Sequence, residues 1–115
     1  TGVHVAMTRP GTGPLPLDGQ TLIVKYKGTL LDGTVFDQSR PEIIGFAFVL
    51  NAAEVFPNDP NKVRAIKGWD IAFKQLSKGS QAILLIPSEQ AYGAAGRSSI
   101  PPNSVLRFGV YSFAL

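Results

Sequence analysis

The 115-residue chain is 44% hydrophobic and 17% charged, which is typical of one globular domain with its own core and excludes a disordered chain. Its formal net charge of +3 comes from scattered lysines and arginines, so we do not expect nucleic-acid binding, and no apolar run approaches the ~20 residues of a membrane span. The absence of cysteine excludes disulfides and thiolate chemistry and leaves the cellular compartment open. The chain begins at Thr1 without a signal-peptide pattern. We expect a cytoplasmic protein or, if the chain was trimmed from an exported precursor, a protein of the cell envelope or periplasm.

The N-terminal part of the chain predicts two strands. We expect a first strand from Val3 to Thr8 and, after a loop rich in proline and glycine, a long strand from Thr21 to Leu31. Side chains alternate between the two faces of a strand, so the long strand carries two distinct sets. One face holds Val24, Tyr26, Gly28 and Leu30, and the other holds Lys25, Lys27 and Thr29.

A tight turn follows the long strand. Asp32-Gly33 is a strong hairpin signal, and the return strand, which runs to Arg40, carries Phe36 and Asp37. Pairing of the two strands brings Phe36 and Asp37 to the end of the sheet where Tyr26 lies. A carboxylate and a phenol beside aromatic rings indicate a binding pocket rather than a water-filled catalytic cleft.

The middle of the chain predicts a strand, an irregular segment and one helix. The strand spans Gly45 to Leu50, with Phe46 and Phe48 on the same face, whereas turn-forming residues deny regular structure to much of the segment from Asn51 to Arg64. A helical stripe about two turns long follows, with Gly79 as the stop signal beyond it. The stripe consists of Trp69, Ala72, Phe73 and Leu76.

The C-terminal part predicts two more strands around a long loop. The strands run from Gln81 to Ile86, closed by Pro87, and from Val105 to Leu115, and the loop between them has a length typical of functional loops. One short amphipathic helix cannot cover both faces of such a sheet. We therefore expect an α+β fold, in which an antiparallel sheet of five or six strands wraps around one short helix and leaves its other face in water.

The residue types that most catalytic sites need are scarce in this sequence. The single histidine, His4, is best interpreted as a surface residue of the first strand, and one histidine without cysteine cannot build a His/Cys metal site. Aromatic residues remain, and most of them are expected in the core. However, Phe36 lies at a strand end, Trp69 at the start of the helix and Tyr92 in the long loop, which are positions for the rim and floor of a pocket.

Several short motifs, in a fixed order along the chain, resemble those of one family. They are Val24-Lys-Tyr26-Lys-Gly28, Asp32-Gly33-Thr-Val-Phe36-Asp37, Phe46-Ala-Phe48, Ile66-Lys-Gly68-Trp69-Asp70, Ala91-Tyr92-Gly93, Ile100-Pro101-Pro102 and Leu106-Arg-Phe108. From about Val3 to Leu115 the chain resembles the FKBP family of peptidyl-prolyl cis-trans isomerases, the immunophilins that bind macrolides. The family fold, an antiparallel sheet wrapped around one short helix, agrees with the fold expected from the pattern. Residues 1–115 would then form a single isomerase domain.

The resemblance implies an apolar aromatic pocket that accelerates X–Pro bond rotation in protein folding without covalent chemistry, a cofactor or a metal. Trp69 would be the floor, while Asp37 and the Tyr92 hydroxyl would be polar contacts. The implied catalytic positions are Asp37, Tyr92, Phe36 and Trp69. The implied substrate-binding positions are Tyr26, Phe46, Ala65, Ile66, Arg97, Ile100 and Phe108. The backbone N–H of Ile66 is expected to donate a hydrogen bond to a ligand carbonyl.

The partners implied by the resemblance are proline-containing peptides, unfolded proteins, and macrolides of the tacrolimus and rapamycin type. We expect a monomer, with neither nucleic acid nor a membrane span. A second class of function stays open, namely a non-catalytic immunophilin module that uses the same pocket, or the inserted loop at about 51–64, to bind a partner.

The sequence departs from the family pattern near the pocket. The segment from Asn51 to Arg64 is longer than in compact members, and neutral lengthening of the loop is favoured over a larger substrate surface because long loops are thermodynamically well tolerated. The loop from Gly96 to Ile100 is shorter and carries Arg97 and two serines where small members have a histidine and an extra apolar residue. This difference bears on macrolide affinity and substrate preference. Ala65 is smaller than the usual valine.

Overall fold

The computed structural model describes residues 2–38, 45–97 and 99–114, with only the backbone of 112–114. The predictions that concern 39–40, Ser98 and Leu115 lie outside these residues. In the described ranges, six strands form one antiparallel sheet in the order β1-β5-β6-β2-β3, and β4 pairs with β2. The strands are β1 His4–Arg9, β2 Thr21–Leu30, β3 Val35–Gln38, β4 Phe46–Val49, β5 Gln81–Ile86 and β6 Leu106–Ala114. The expected α+β fold is therefore confirmed.

The main helix, α2, spans Lys67–Phe73 and packs against the inner face of the sheet. The predicted stripe is confirmed, since Trp69 and Phe73 are buried in the helix and Leu76 is buried beyond it. The helix is shorter than the stripe, because the chain leaves it after Phe73 in i to i+3 hydrogen bonds, including one from the Leu76 N–H to the Phe73 carbonyl. Leu76 reaches the core from this last turn, ahead of Gly79, whose φ is +89°.

A short helix, α1 Ala52–Val55, lies at the start of the segment predicted to be largely irregular. Asn51 precedes it with a φ of 57°, and the Asn51 N–H donates a 2.9 Å hydrogen bond to Oδ1 of Asp70 in α2. This bond ties the beginning of the 51–64 segment to the helix that carries Trp69. A single 3₁₀ turn, Ser88–Gln90, follows β5.

The predicted faces of β2 hold along most of the strand and fail at its end. Leu22, Val24 and Tyr26 are buried, as the alternation requires. However, Thr29, which the alternation places on the opposite face, is buried too, and Leu30 is only partly buried. The β2–β3 pairing changes register between Gly28 and Thr29, which leaves an extra residue on β3. Such a bulge increases the local twist of the pair, so simple alternation does not extend to this end of the strand.

The core lies between the sheet and α2. Its largest fully buried side chains include Leu22 in β2, Phe48 in β4, Leu84 in β5 and Leu106 in β6. These residues come from four strands and pack with α2 in one core. The sheet therefore fixes the position of the first turn of α2, where Trp69 lies. No helix in the described ranges is long and apolar enough to cross a membrane.

Candidate active site

A cavity of about 520 Å³ opens where the first turn of α2 faces the end of the sheet. Strands β2, β3, β4 and β6 each contribute residues, as do the segment before α2 and the loop after β5. The lining residues are Tyr26, Phe36, Asp37, Phe46, Val63, Arg64, Ala65, Ile66, Trp69, Tyr92, Arg97 and Phe108. Most of the lining is therefore aromatic or aliphatic, and its charged side chains, those of Asp37, Arg64 and Arg97, are exposed.

Trp69 forms the base of this cavity. Its backbone N–H donates to the Ile66 carbonyl at 3.0 Å in the first turn of α2, and its side chain is only 3% exposed. The rings of Tyr26 and Phe108 meet the indole edge-on, with centroids 4.9 Å and 5.3 Å away. The indole Nε1 is buried and has no hydrogen-bond partner in the described part of the chain. The indole is thus held firmly by neighbouring rings while a hollow remains above it.

The wall made by Phe36 and Phe108 depends on a glycine in β2. The two rings pack edge to face, with centroids 5.5 Å apart, over Gly28. A Cβ on Gly28 would lie 2.6 Å from Cζ of Phe36 and 2.9 Å from Cε1 of Phe108. Real Cβ atoms do not approach other carbons this closely, so the absence of a side chain at Gly28 gives both rings their room.

Tyr26 and Asp37 form the principal polar contact at the edge of the cavity. The Tyr26 hydroxyl donates a 2.6 Å hydrogen bond to Oδ2 of Asp37, which pairing of β2 with β3 places alongside. Burial, and after it this hydrogen bond, raise the pKa of Tyr26 above its ordinary value. The phenol therefore stays protonated and acts as a donor, and its oxygen is directed to Asp37 rather than left free to attract water into the cavity.

Tyr92 and Arg97 form the side of the cavity that belongs to the loop after β5. The Arg97 guanidinium lies over the Tyr92 ring, 5.3 Å from its centroid, and Nη1 donates a 3.3 Å hydrogen bond to the Tyr92 hydroxyl. The backbone of Arg97 also exchanges hydrogen bonds with that of Ile100. This small bridge turns the Ile100 side chain into the core, where it is 6% exposed.

The segment just before α2 forms the opposite side of the cavity. The Val49 N–H donates to the Val63 carbonyl at 2.8 Å, so the segment runs beside the end of β4. Arg64 is exposed, and its Nη2 donates to the Pro57 carbonyl at 2.9 Å. No described residue accepts a hydrogen bond from the Ile66 N–H. The segment therefore has a donor beside the cavity that pairs with no acceptor among the described residues.

The structure brings together all the predicted site residues except one. Ile100 is buried in the core and is not part of the lining, whereas the ten others are. Sequence reasoning missed Val63 and Arg64. The signal that could have found them was the position of the 51–64 segment immediately before Ile66, which already placed its end near the pocket.

Comparison with known proteins gives a consistent result. The sequence model of the family described as "FKBP-type peptidyl-prolyl cis-trans isomerase" matches residues 13–111. Peptidyl-prolyl cis-trans isomerase Fkbp12 of Drosophila melanogaster is 42% identical over 111 residues, which are 95% of this chain and 94% of that protein. FK506-binding protein 1A of Emericella nidulans is 40% identical, with coverage of 95% and 94%.

A longer bacterial protein matches as well. FKBP-type peptidyl-prolyl cis-trans isomerase FkpA of Escherichia coli is 39% identical over 110 residues, and the match covers 96% of this chain but 36% of FkpA. The chain thus spans little more than a third of the length of that relative. The crystal structure of FkpA superposes with a TM-score of 0.81 at 37% identity, over 99% of this chain and 47% of the FkpA chain.

Proposed function

The chain belongs to the FKBP-type peptidyl-prolyl cis-trans isomerase family, and from this premise we propose that it accelerates X–Pro bond rotation in peptides and unfolded proteins. The observation that carries the proposal is the cavity above Trp69, with its aromatic lining and its polar groups confined to the edge. The proline ring would occupy this cavity, with the flanking backbone at the mouth.

The reaction needs no nucleophile and no metal. Rotation about an X–Pro bond breaks only the partial double-bond character of the amide, with a barrier of roughly 18–20 kcal/mol, and takes tens to hundreds of seconds without a catalyst. Catalysis therefore requires only that the protein bind the twisted amide better than the planar one.

An apolar cavity favours the twisted amide for a physical reason. The planar amide has charge-separated resonance, which water stabilises, and twisting removes that resonance and lowers the polarity of the group. Transfer from water to the space above Trp69 removes more stabilisation from the planar form than from the twisted one. The edge-on rings of Tyr26 and Phe108 fix the shape of this space, so fit to the twisted geometry adds to the effect of desolvation.

Two donors at the mouth are suited to hold the carbonyls that flank the proline. The Ile66 N–H has no acceptor among the described residues, and the Tyr92 hydroxyl, which accepts from Arg97, keeps its own proton to donate. Asp37 accepts a hydrogen bond from the Tyr26 hydroxyl. In this proposal Asp37 orients the Tyr26 side chain as a hydrogen-bond acceptor and does not act as a general base. These groups position the peptide backbone without filling the cavity with water.

We extend the proposal to macrolides of the tacrolimus and rapamycin type, which would compete with peptide for the same cavity. Support comes from the FK506-binding protein 1A relative, of which the chain covers nearly the whole length. Trp69 is the only tryptophan in the chain, so its fluorescence reports directly on occupation of the cavity. Addition of such a macrolide is expected to change this fluorescence and to inhibit isomerisation with the same midpoint.

The test is an X–Pro isomerisation assay with a short peptide, together with proline-limited refolding of a model protein. We expect catalysis well above the background rate. Phe36→Leu is expected to lower kcat/KM by roughly two- to tenfold, because an aromatic wall contact contributes ~0.5–1.5 kcal/mol beyond its area. Phe36 is half-buried at the rim, so this change spares the core. Tyr111→Leu is the matched control, since Tyr111 is 55% exposed and outside the cavity.

The alternative function, a binding module without catalysis, predicts a different result. The peptide would then bind and change the Trp69 fluorescence while the isomerisation rate stayed at background. That outcome would reject the isomerase proposal and leave the cavity as a recognition site. Equal activity of the Phe36→Leu and Tyr111→Leu proteins would show instead that the cavity does not carry the activity.

A further inference from the structure

We propose that Arg64 and Arg97 select substrates with an acidic side chain directly before or after the proline. This inference rests on the proposed isomerase function and names the substrate class of the same cavity. The two arginines lie on different sides of the lining, Arg97 in the loop after β5 and Arg64 in the segment before α2. An acidic residue close to a bound proline would therefore meet a guanidinium group at the mouth of the cavity.

Arg97 is held in position by Tyr92. Its guanidinium lies 5.3 Å from the centroid of the Tyr92 ring and donates to the hydroxyl at 3.3 Å, while its backbone is fixed by the bridge to Ile100. Stacking on an aromatic ring restrains the planar guanidinium without using all its N–H groups. The remaining donors, on an exposed side chain, are available to a carboxylate.

Arg64 is positioned by the inserted segment itself. Its Nη2 donates a 2.9 Å hydrogen bond to the carbonyl of Pro57, seven residues earlier in the same segment. This bond holds the guanidinium close to the backbone of the inserted segment. A second cavity of about 490 Å³ shares Val63 and Arg64 with the first, and Lys62 and Asp59 also line it. Arg64 therefore lies where the two cavities adjoin, and a peptide that extends beyond the first cavity on this side would meet it.

The charges of these arginines are not neutralised within the described part of the chain. The ion pair there joins Lys74 to Asp18, away from the cavity, and neither arginine has a carboxylate within 4.0 Å. Asp37 shares the cavity, but its Oδ2 accepts from Tyr26. Two unpaired guanidinium groups facing one carboxylate leave the mouth with a net positive charge, which attracts an acidic peptide and repels a basic one.

The expected selectivity is modest because the groups are exposed. Surface ion pairs contribute ~0.2–1 kcal/mol, which corresponds to a change in kcat/KM of about 1.4- to fivefold for each arginine. The selectivity should also decline with salt, since the screening length falls from about 8 Å at 0.15 M to about 3 Å at 1 M. Activity on a neutral peptide lacks this term and serves as the internal reference.

The experiment compares peptides that differ only at the residue before or after proline, with Glu, Gln or Lys at that position. Isomerisation is measured by NMR exchange, which needs no coupling protease. For at least one of the two positions we expect the kcat/KM of the Glu peptide to exceed that of the Gln peptide, and that of the Gln peptide to exceed that of the Lys peptide, by about 1.4- to fivefold per step. These differences should be smaller in 1 M NaCl. Arg64→Gln and Arg97→Gln should each lower the Glu-to-Gln ratio measured within the same protein.

The controls separate this inference from the function on which it rests. Arg9→Gln makes the same change of charge in β1, outside the cavity lining, and should leave the Glu-to-Gln ratio unchanged. Arg97→Glu should reverse the order of the Glu and Lys peptides, a result that partial unfolding cannot produce. Catalysis of the Gln peptides with equal rates for Glu and Lys would overturn the inference alone, whereas no catalysis of any peptide would overturn the proposed function.

Discussion

Gly28→Ala is expected to damage the cavity wall while leaving the backbone of β2 free of strain. Gly28 lies beneath Phe36 and Phe108, and a Cβ there would approach their ring atoms to 2.6 Å and 2.9 Å. Phe108 is 4% exposed and is held by its neighbours, whereas Phe36 is half-buried at the rim. The Phe36 ring is therefore the group that moves, and it moves relative to the cavity that it lines.

The size of the effect follows from two opposing contributions. Overpacking of a filled site costs about 1–3 kcal/mol, while replacing glycine by alanine in a strand returns about 0.5–1 kcal/mol of chain entropy. The net loss of unfolding free energy at Gly28 is then about 0–2.5 kcal/mol. For a chain of this size that is a decrease in Tm of up to about 10 °C. Displacement of the Phe36 ring should also reduce kcat/KM by roughly two- to tenfold.

Gly109→Ala is the matched control. Gly109 lies in β6, and a Cβ there would have its nearest neighbour at 3.6 Å, the Cε1 of Tyr111, which is ordinary van der Waals contact. The same substitution should therefore raise the stability by about 0.4–1 kcal/mol through the unfolded state. The two alanine variants are expected to shift Tm in opposite directions.

The double variant Gly28→Ala with Phe36→Leu identifies the cause. Leucine lacks the Cζ and Cε atoms that approach the new methyl group, so this variant should regain part of the lost Tm without regaining activity. Thermal unfolding and the peptide assay measure both quantities. If Gly28→Ala were as stable as Gly109→Ala and fully active, the packing argument for this wall would be wrong.

Two further predictions concern single polar contacts. Tyr26→Phe removes the hydroxyl that donates a 2.6 Å hydrogen bond to Asp37. Because Asp37 is exposed and can hydrogen-bond to water instead, we expect the free energy of unfolding to fall by about 0.5–1.5 kcal/mol. Urea unfolding measures this change, and an unchanged midpoint would contradict a stabilising contact. Burial raises the pKa of Asp70 above its ordinary value of 3.8, so its contribution to stability is complete below that value and is lost as pH rises through the raised folded-state pKa. The difference in unfolding free energy between the natural chain and Asp70→Asn, which keeps an oxygen for the Asn51 N–H, should therefore fall as pH rises across this window, and a difference independent of pH would refute the assignment.

Local sequence patterns are sufficient to predict the elements that depend on near neighbours. Three such elements are the alternation in β2 as far as Gly28, the stripe from Trp69 to Leu76 and the Asp32-Gly33 turn. Each follows from residues a few positions apart in the sequence. The periodic patterns predict the same element wherever the fold buries one of its faces. The resemblance to the family also indicated nearly all the residues that line the cavity. It did so because the family motifs carry the positions of the pocket residues, whereas local geometry alone does not.

The tertiary structure alone decided what depends on residues far apart in the chain. Strand register and a loop bridge place these distant residues together, and local periodicity encodes neither of them. They account for the close contacts that require glycine at position 28, for the burial of Ile100, and for the presence of Val63 and Arg64 in the cavity lining. A side chain's surroundings are fixed only when distant segments pack at close density, and a shift of one residue in pairing changes which atoms meet. Sequence patterns therefore predicted the surfaces of the elements, and packing decided the shape and charge of the cavity between them.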